Sequence, residues 1–225
     1  LGIYGANFKM AVLMTLFVQM FKYAAEPFFF SRAKDKNARE LYADVMNFFV
    51  AAGLVIFLLV NLYIDYFILF IGQGFREGAQ IVPIILMANL VMGIFFNLSI
   101  WYKLTNKTMY GAVLVIVGAL VTVLINVLFI PRYGYVASAW AHLICYSLMV
   151  LLSYIWSRKH YKVPYKTGRI VVYVVLALMI YYFNALLLQD IGPARDLTSL
   201  ILLVGFGLFL WYMERPVFIK SKNMT

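Results

Sequence analysis

Five polar residues stand where a membrane tolerates them least. Lys9, Lys22 and Glu26 interrupt an otherwise apolar stretch, Gly2–Ser31, and Asn7 and Gln19 lie in the same stretch. Thr15, Gln19, Lys22 and Glu26 follow one another at spacings of four, three and four. At 100° per residue they fall within about 60° of one helical face. Lys22 and Glu26 form an i, i+4 pair that can neutralise itself. A charge at membrane depth costs roughly 2.5–3.5 kcal/mol on insertion scales, so such residues turn to a bundle interior or a water-filled cavity. This face therefore reads as the lining of a hydrated path. A blander reading stands beside it. Lys22 is nine residues from Ser31, about 13 Å of helix, and Lys9 is as close to the other end, so both can snorkel to headgroups.

The elements that carry these residues are long apolar helices. Charge-free runs cover Val45–Ile64, Gly78–Tyr102, Thr108–Pro131, Tyr133–Ser157, Ile170–Gln189 and Leu197–Met213. A bilayer core needs roughly 20 apolar residues as helix, and each run is near or above that length. Hydrophobic residues make up 65% and charged residues 12% of the 225, which is too apolar for a soluble surface. The expected fold is all-α, a polytopic membrane protein of seven transmembrane helices. Residues 1–160 hold five of them, and 161–225 hold two more with a cytoplasmic tail. Leu1 is not an initiator methionine, so the chain reads as the C-terminal portion of a longer protein.

Direction follows from Lys and Arg. The loops after the first, third and fifth stretches carry Arg32, Lys34, Lys36 and Arg39, then Lys103 and Lys107, then Arg158, Lys159, Lys162, Lys166 and Arg169. The tail adds Arg215, Lys220 and Lys222. The opposite loops hold only Arg76, Arg132 and Arg195. The positive-inside rule puts the first set, and the C-terminus, in the cytoplasm. Confinement of the +10 net charge to short loops argues against nucleic acid as a partner. Turn signals agree at Gly72-Gln-Gly74, Asn106, Pro131-Arg-Tyr-Gly134 and Gly192-Pro193. Trp101, Tyr102, Tyr154, Trp156, Trp211 and Tyr212 at one set of ends, with Tyr63, Tyr66, Tyr133 and Tyr135 at the other, read as interfacial belts.

Weaker candidates lie in later helices. Asn89, Gly93 and Asn97 share a stripe, as do Gly111, Gly118, Thr122 and Asn126, and as do Ser138, His142 and Cys145. Small and polar residues at this spacing normally mark helix packing, with ligand contact by Asn89, Asn97, Asn126 or His142 as the alternative. His142 could also titrate in a relay. Pro83 starts or kinks its helix. Asp65, Asp35 and Glu40 read as solvated. No metal-ligand cluster, phosphate loop or Ser-His-Asp set is present in the sequence, so neither enzymatic catalysis, a metal nor a cofactor is expected. The single cysteine, Cys145, reads as inert packing.

Several segments resemble a known family. Gly2-Ile-Tyr-Gly-Ala-Asn-Phe-Lys-Met, Tyr23-Ala-Ala-Glu-Pro-Phe-Phe-Phe-Ser, Val82-Pro-Ile-Ile-Leu-Met-Ala-Asn-Leu, Asn97-Leu-Ser-Ile-Trp-Tyr-Lys-Leu-Thr and Gly134-Tyr-Val-Ala-Ser-Ala-Trp-Ala resemble the C-terminal half of Wzx-type polysaccharide flippases. These belong to the multidrug/oligosaccharidyl-lipid/polysaccharide superfamily. Ser138 stands where that family's last motif has Ala. The resemblance implies helices 8–14 of a MATE-like two-bundle fold whose first bundle is missing here. It implies a bacterial inner-membrane protein that moves an undecaprenyl-diphosphate-linked oligosaccharide to the outer leaflet by alternating access. Polymerase and glycosyltransferases would be further partners. Lys9 is the position matching the family's cavity cation, and Lys suits a diphosphate as a charge on a flexible stem. A cation-coupled multidrug exporter of the same fold and a non-transporting membrane scaffold remain as alternatives.

Overall fold

The computed structural model describes residues 2–187 and 192–222, with side chains described for 2–186 and 192–215. The described residues are all-α, without a strand. Seven helices are long and apolar enough to cross a membrane. They are α1 (Gly2–Ser31), α2 (Ala38–Leu62), α3 (Gln73–Leu104), α4 (Thr108–Tyr133), α5 (Tyr135–His160), α6 (Thr167–Leu187) and α7 (Pro193–Lys222). Gln189, the expected end of the sixth stretch, lies outside the described residues. So do the side chains of Lys220 and Lys222.

Local sequence explains the breaks. Gly134 separates α4 from α5 with φ +59° and ψ −142°, a region essentially closed to other residues. Pro131 does not end α4, which continues to Tyr133, so the break sits three residues later than Pro131. Asn106 takes a positive φ of 55° in the turn after α3, as a small polar residue tolerates. Pro83 occupies the first turn of the α-helical part of α3 (Val82–Leu98), where its missing N–H costs nothing. The preceding Gln73–Ile81 is 3₁₀. α1 is also discontinuous, with a 3₁₀ turn at Lys9–Ala11.

Two ends of the bundle are defined by contacts across helices. At one end Lys103 meets Glu26, Lys166 meets Asp44 and Arg169 approaches Glu214. At the other, Asn7 donates to the Phe75 carbonyl, Gln80 to the Tyr135 hydroxyl and Arg195 meets Asp65. Hence α1, α3, α5 and α7 run one way and α2, α4 and α6 the other, and the Lys-rich loops gather at one end. We call it the basic end.

One apolar core joins α1, α2, α3, α5, α6 and α7 through Met14, Phe49, Leu54, Leu86, Ala139, Tyr173 and Phe206. Thus the described parts of α6 and α7 pack directly on the body of the bundle. A second cluster at the basic end joins Ala25, Phe29 and Tyr42 to Ile100 and Val163. A third joins Trp101, Leu114, Cys145 and Met149. Leu120, Val127 and Leu128 of α4 stand exposed, an apolar surface suited to lipid tails.

Two readings need correction. Trp101 and Tyr102 are not belt residues. Both are buried, and the Trp101 Nε1 donates to Ser153 Oγ at 3.0 Å, which satisfies the indole inside the bundle. Asp65 is only partly solvated: its side chain is 34% exposed and pairs with Arg195 Nη1 at 2.6 Å.

Candidate functional site

The sequence puts Lys22 and Glu26 one turn apart on α1, and α3 returns to the same end with Asn97 and Lys103. The structure brings these four together around a cleft at the basic end. Phe21, Phe29 and Phe96 supply its apolar walls, and its empty space, open mouth included, is about 310 Å³. Lys103 reaches it because the main helix of α3 ends at Leu98 and a last turn, Ile100–Leu104, follows Ser99.

The charges pair differently from the i, i+4 expectation. Glu26 Oε1 accepts from Lys103 Nζ at 2.8 Å. Lys22 Nζ sits over the Phe96 ring, 4.6 Å from its centroid. The interhelical pair is half-shielded, with 28% of Lys103 and 40% of Glu26 exposed. Shielding strengthens the charge–charge term relative to an open surface pair. Lys22 keeps a cation–π contact worth about 0.5–2 kcal/mol and, among the described residues, has no carboxylate partner. Two ammonium groups and one carboxylate leave the cleft positive. Asn97 is buried beside it, with Nδ2 donating to the Gly93 carbonyl and Oδ1 closed off without a partner.

The other candidates do not join this cleft. Asn7 is not a cavity residue. It is fully buried, and its Nδ2 donates to the Ile3 and Phe75 carbonyls at 2.8 Å each, fastening α1 to the 3₁₀ start of α3. Its Oδ1 is enclosed without a hydrogen-bond partner among the described residues. Lys9 is exposed in the 3₁₀ turn of α1, and Gln19 is half-buried one turn before Lys22. Asn89 donates to Thr15 Oγ1 at 3.1 Å, and Thr15 in turn donates to the Ala11 carbonyl. Asn126 accepts from Ser138 across the α4–α5 pair. The ring of His142 is hydrogen-bonded to the Tyr4 hydroxyl at 3.0 Å. Three of these contacts, Asn89–Thr15, Ser138–Asn126 and Tyr4–His142, join neighbouring helices as packing contacts do, and Thr15–Ala11 stays within α1.

Lys103 is the member that sequence reasoning missed as a site residue. It was counted among loop charges because it follows two aromatic residues near a helix end. Its register gave no signal, because six residues after Asn97 a straight helix turns it about 120° away. Among the described residues no group of His, Cys, Asp or Glu could hold a metal ion. The chain matches no protein-family model, no curated protein and no solved structure.

Proposed function

We propose that this chain is the C-terminal portion of a flippase for a polyprenyl-diphosphate-linked glycan, with its basic end in the cytoplasm of a bacterium. The observation that carries the reading is Lys22. Its ammonium stands in a half-open cleft between apolar helices, carries no carboxylate partner among the described residues and rests on an aromatic face. A diphosphate headgroup is the kind of anion such a cation holds away from bulk water. The motif resemblance and the positive-inside rule support the same direction of travel, from the cytoplasmic to the outer leaflet, by alternating access with a second bundle.

A cation-coupled exporter has one observation in its favour. Glu214 is buried, and its Oε2 has no partner among the described residues. Its other oxygen accepts from Tyr173 at 2.6 Å and lies 3.9 Å from Arg169. An entering cation would have to displace that arginine. The anionic substrate therefore stands ahead. A scaffold that does not transport would leave the helix charges dispensable.

The test is a clean deletion of the gene, followed by assay of the lipid-linked glycan in each leaflet. Accumulation of the glycan facing the cytoplasm is expected. A deletion that changes only drug sensitivity overturns the flippase and favours the exporter.

A further inference from the structure

We infer that Glu26 is an exchangeable counter-ion that latches α1 to α3, and that a phosphate-bearing headgroup taking Lys103 releases it. The inference rests on the anionic-substrate reading of the cleft and adds how occupancy would be felt by the helix.

Glu26 has two cations within reach of different kinds. Lys103 is on α3, 2.8 Å from its carboxylate. Lys22 lies four residues back on its own helix, in the i, i+4 relation that lets the two side chains meet. While Glu26 holds Lys103, α1 is fixed to α3. An anion entering at Lys103, before it reaches Lys22 deeper along α1, takes that partner from Glu26, and Lys22 is then the nearest replacement, a pairing internal to α1 that fixes it to nothing. The two pairings compete for one carboxylate, so an anion that favours one shifts the balance by its differential affinity for Lys103.

α1 is built to bend at both sides of this segment. The 3₁₀ turn Lys9–Ala11 precedes it, and such turns inside a helix mark hinges. Pro27 follows Glu26 directly and sits inside the helix, where it removes one backbone hydrogen bond. Beyond Pro27 the Tyr42 hydroxyl donates to the Phe29 carbonyl at 2.8 Å and pins the end of α1 to α2. Before the segment, Asn7 pins its start to α3. The part between the bends carries Gln19, Lys22 and Glu26, and its Leu13, Leu16, Met20 and Tyr23 are exposed. It can bow outward while both ends stay fixed. The contacts that resist this are Met14 and Val18, both buried in the main core, Asn89 on Thr15, and the rings of Phe17 and Phe21 on Phe49. Ala25, beside Glu26, is buried against α2 and α3 in the latched form.

The test uses the full-length protein in phosphatidylcholine vesicles, with Cys145→Ala and Ala25→Cys, and reads the rate of labelling by a water-soluble maleimide. Lys103→Met should raise labelling about fivefold, the upper factor for a partly exposed ion pair. The charge swap Glu26→Lys with Lys103→Glu should stay as protected as the native pair. Lys22→Met should leave labelling at or below the native rate. Two probes separate the source of the phosphate: inorganic pyrophosphate in solution, and vesicles doped with a polyprenyl diphosphate. Either should raise labelling in the native pair and neither in the charge swap. Equal labelling of Lys103→Met and native protein overturns the latch. A rise with Lys22→Met as large as with Lys103→Met overturns the exchange. No response of the native pair to either probe overturns release by an anion. Labelling does not depend on glycan transport, so a failed flippase assay and a failed latch are read separately.

Discussion

Lys103 Nζ lies 2.8 Å from Glu26 Oε1 across 77 positions of sequence, while Lys22, four positions from that carboxylate, rests on the Phe96 ring instead. The relationship decides which charge the cleft has to spare. Had Glu26 paired within its own helix, the spare cation would sit at the end of α3 and α1 would be electrically closed. As folded, the spare cation is Lys22, deeper along α1, and α1 is tied to its neighbour by the same carboxylate.

The two interhelical ion pairs at opposite ends differ in shielding, and this ranks their contributions. Arg195 is 14% exposed against Asp65, whereas the Lys103–Glu26 pair is open to 28% and 40%. Arg195→Met leaves the Asp65 carboxylate, 34% exposed, without its cation and should cost about 1–2 kcal/mol, between the surface and the fully buried cases. Lys103→Met should cost less than about 1 kcal/mol. Thermal unfolding in detergent measures both. A larger drop in Tm for Lys103→Met than for Arg195→Met would contradict the ranking.

Gly93 of α3 packs against Phe49 of α2. A Cβ there would overlap Phe49 Cζ and lie 2.8 Å from Cε1. Phe49 is itself stacked on Phe17 at 5.2 Å between centroids, so its ring has nowhere to move. Gly93→Ala should destabilise by about 1–3 kcal/mol through overpacking. Adding Phe49→Leu should recover part of the loss, because the shorter side chain vacates the contact. A single Gly93→Ala variant with native Tm would show that the two helices slide apart freely.

Much of this architecture was legible before any coordinates. The seven spans follow from apolar run length, and their alternating direction from where Lys and Arg fall, because both are set by local composition. The stripes at Asn89, Asn126 and His142 announced packed faces. What the sequence could not show was partner choice. Glu26 takes Lys103, which α3 brings to it from 77 positions away, rather than Lys22 on its own helix, a tertiary choice with no signature in spacing. Asn7 looked like a cavity residue for the same reason. Its polarity is visible in the chain, but the Phe75 carbonyl that absorbs it comes from 68 positions away. Trp101 misled because aromatic residues at a helix end signal an interface only when they face lipid, and this indole faces Ser153.

Tyr165, in the link between α5 and α6, gives the bundle an alkaline limit. Burial first, and then the neighbouring Tyr161, Tyr154 and Tyr42 hydroxyls, push its ionisation well above the ordinary range. Its hydroxyl is closed off without a hydrogen-bond partner. A raised folded-state value means that the unfolded chain loses this proton first. The contribution is complete below about pH 10, the ordinary tyrosine value, and is lost as pH rises toward the folded value. Near-ultraviolet absorbance should show Tyr165 ionising only with unfolding. Tyr165→Phe removes a buried unpaired hydroxyl, so it should raise stability by about 1 kcal/mol at neutral pH and flatten the alkaline loss. An early tyrosinate signal that Tyr165→Phe abolishes, with the fold intact, would place the hydroxyl in water.

Lys22 and Lys9 separate the cleft from the rest of α1. They are 13 residues apart, about 20 Å of helix rise, so they do not hold one phosphate together. Lys22 is half-buried beside Glu26 and Lys103, with its ammonium fixed over Phe96. Lys9 is exposed in the 3₁₀ turn, where its long stem is free to find headgroups. In the full-length protein, Lys22→Ala should reduce surface polysaccharide about tenfold or more with expression unchanged, since one charged contact of about 1.4 kcal/mol is a factor of ten. Lys22→Arg should retain most activity, because the positive charge and its aromatic contact survive. Lys9→Ala should fall between native and Lys22→Ala if the headgroup passes both cations on its way outward. Normal polysaccharide in Lys22→Ala, with loss in Lys9→Ala, would move the binding site out of the cleft to the far end of α1.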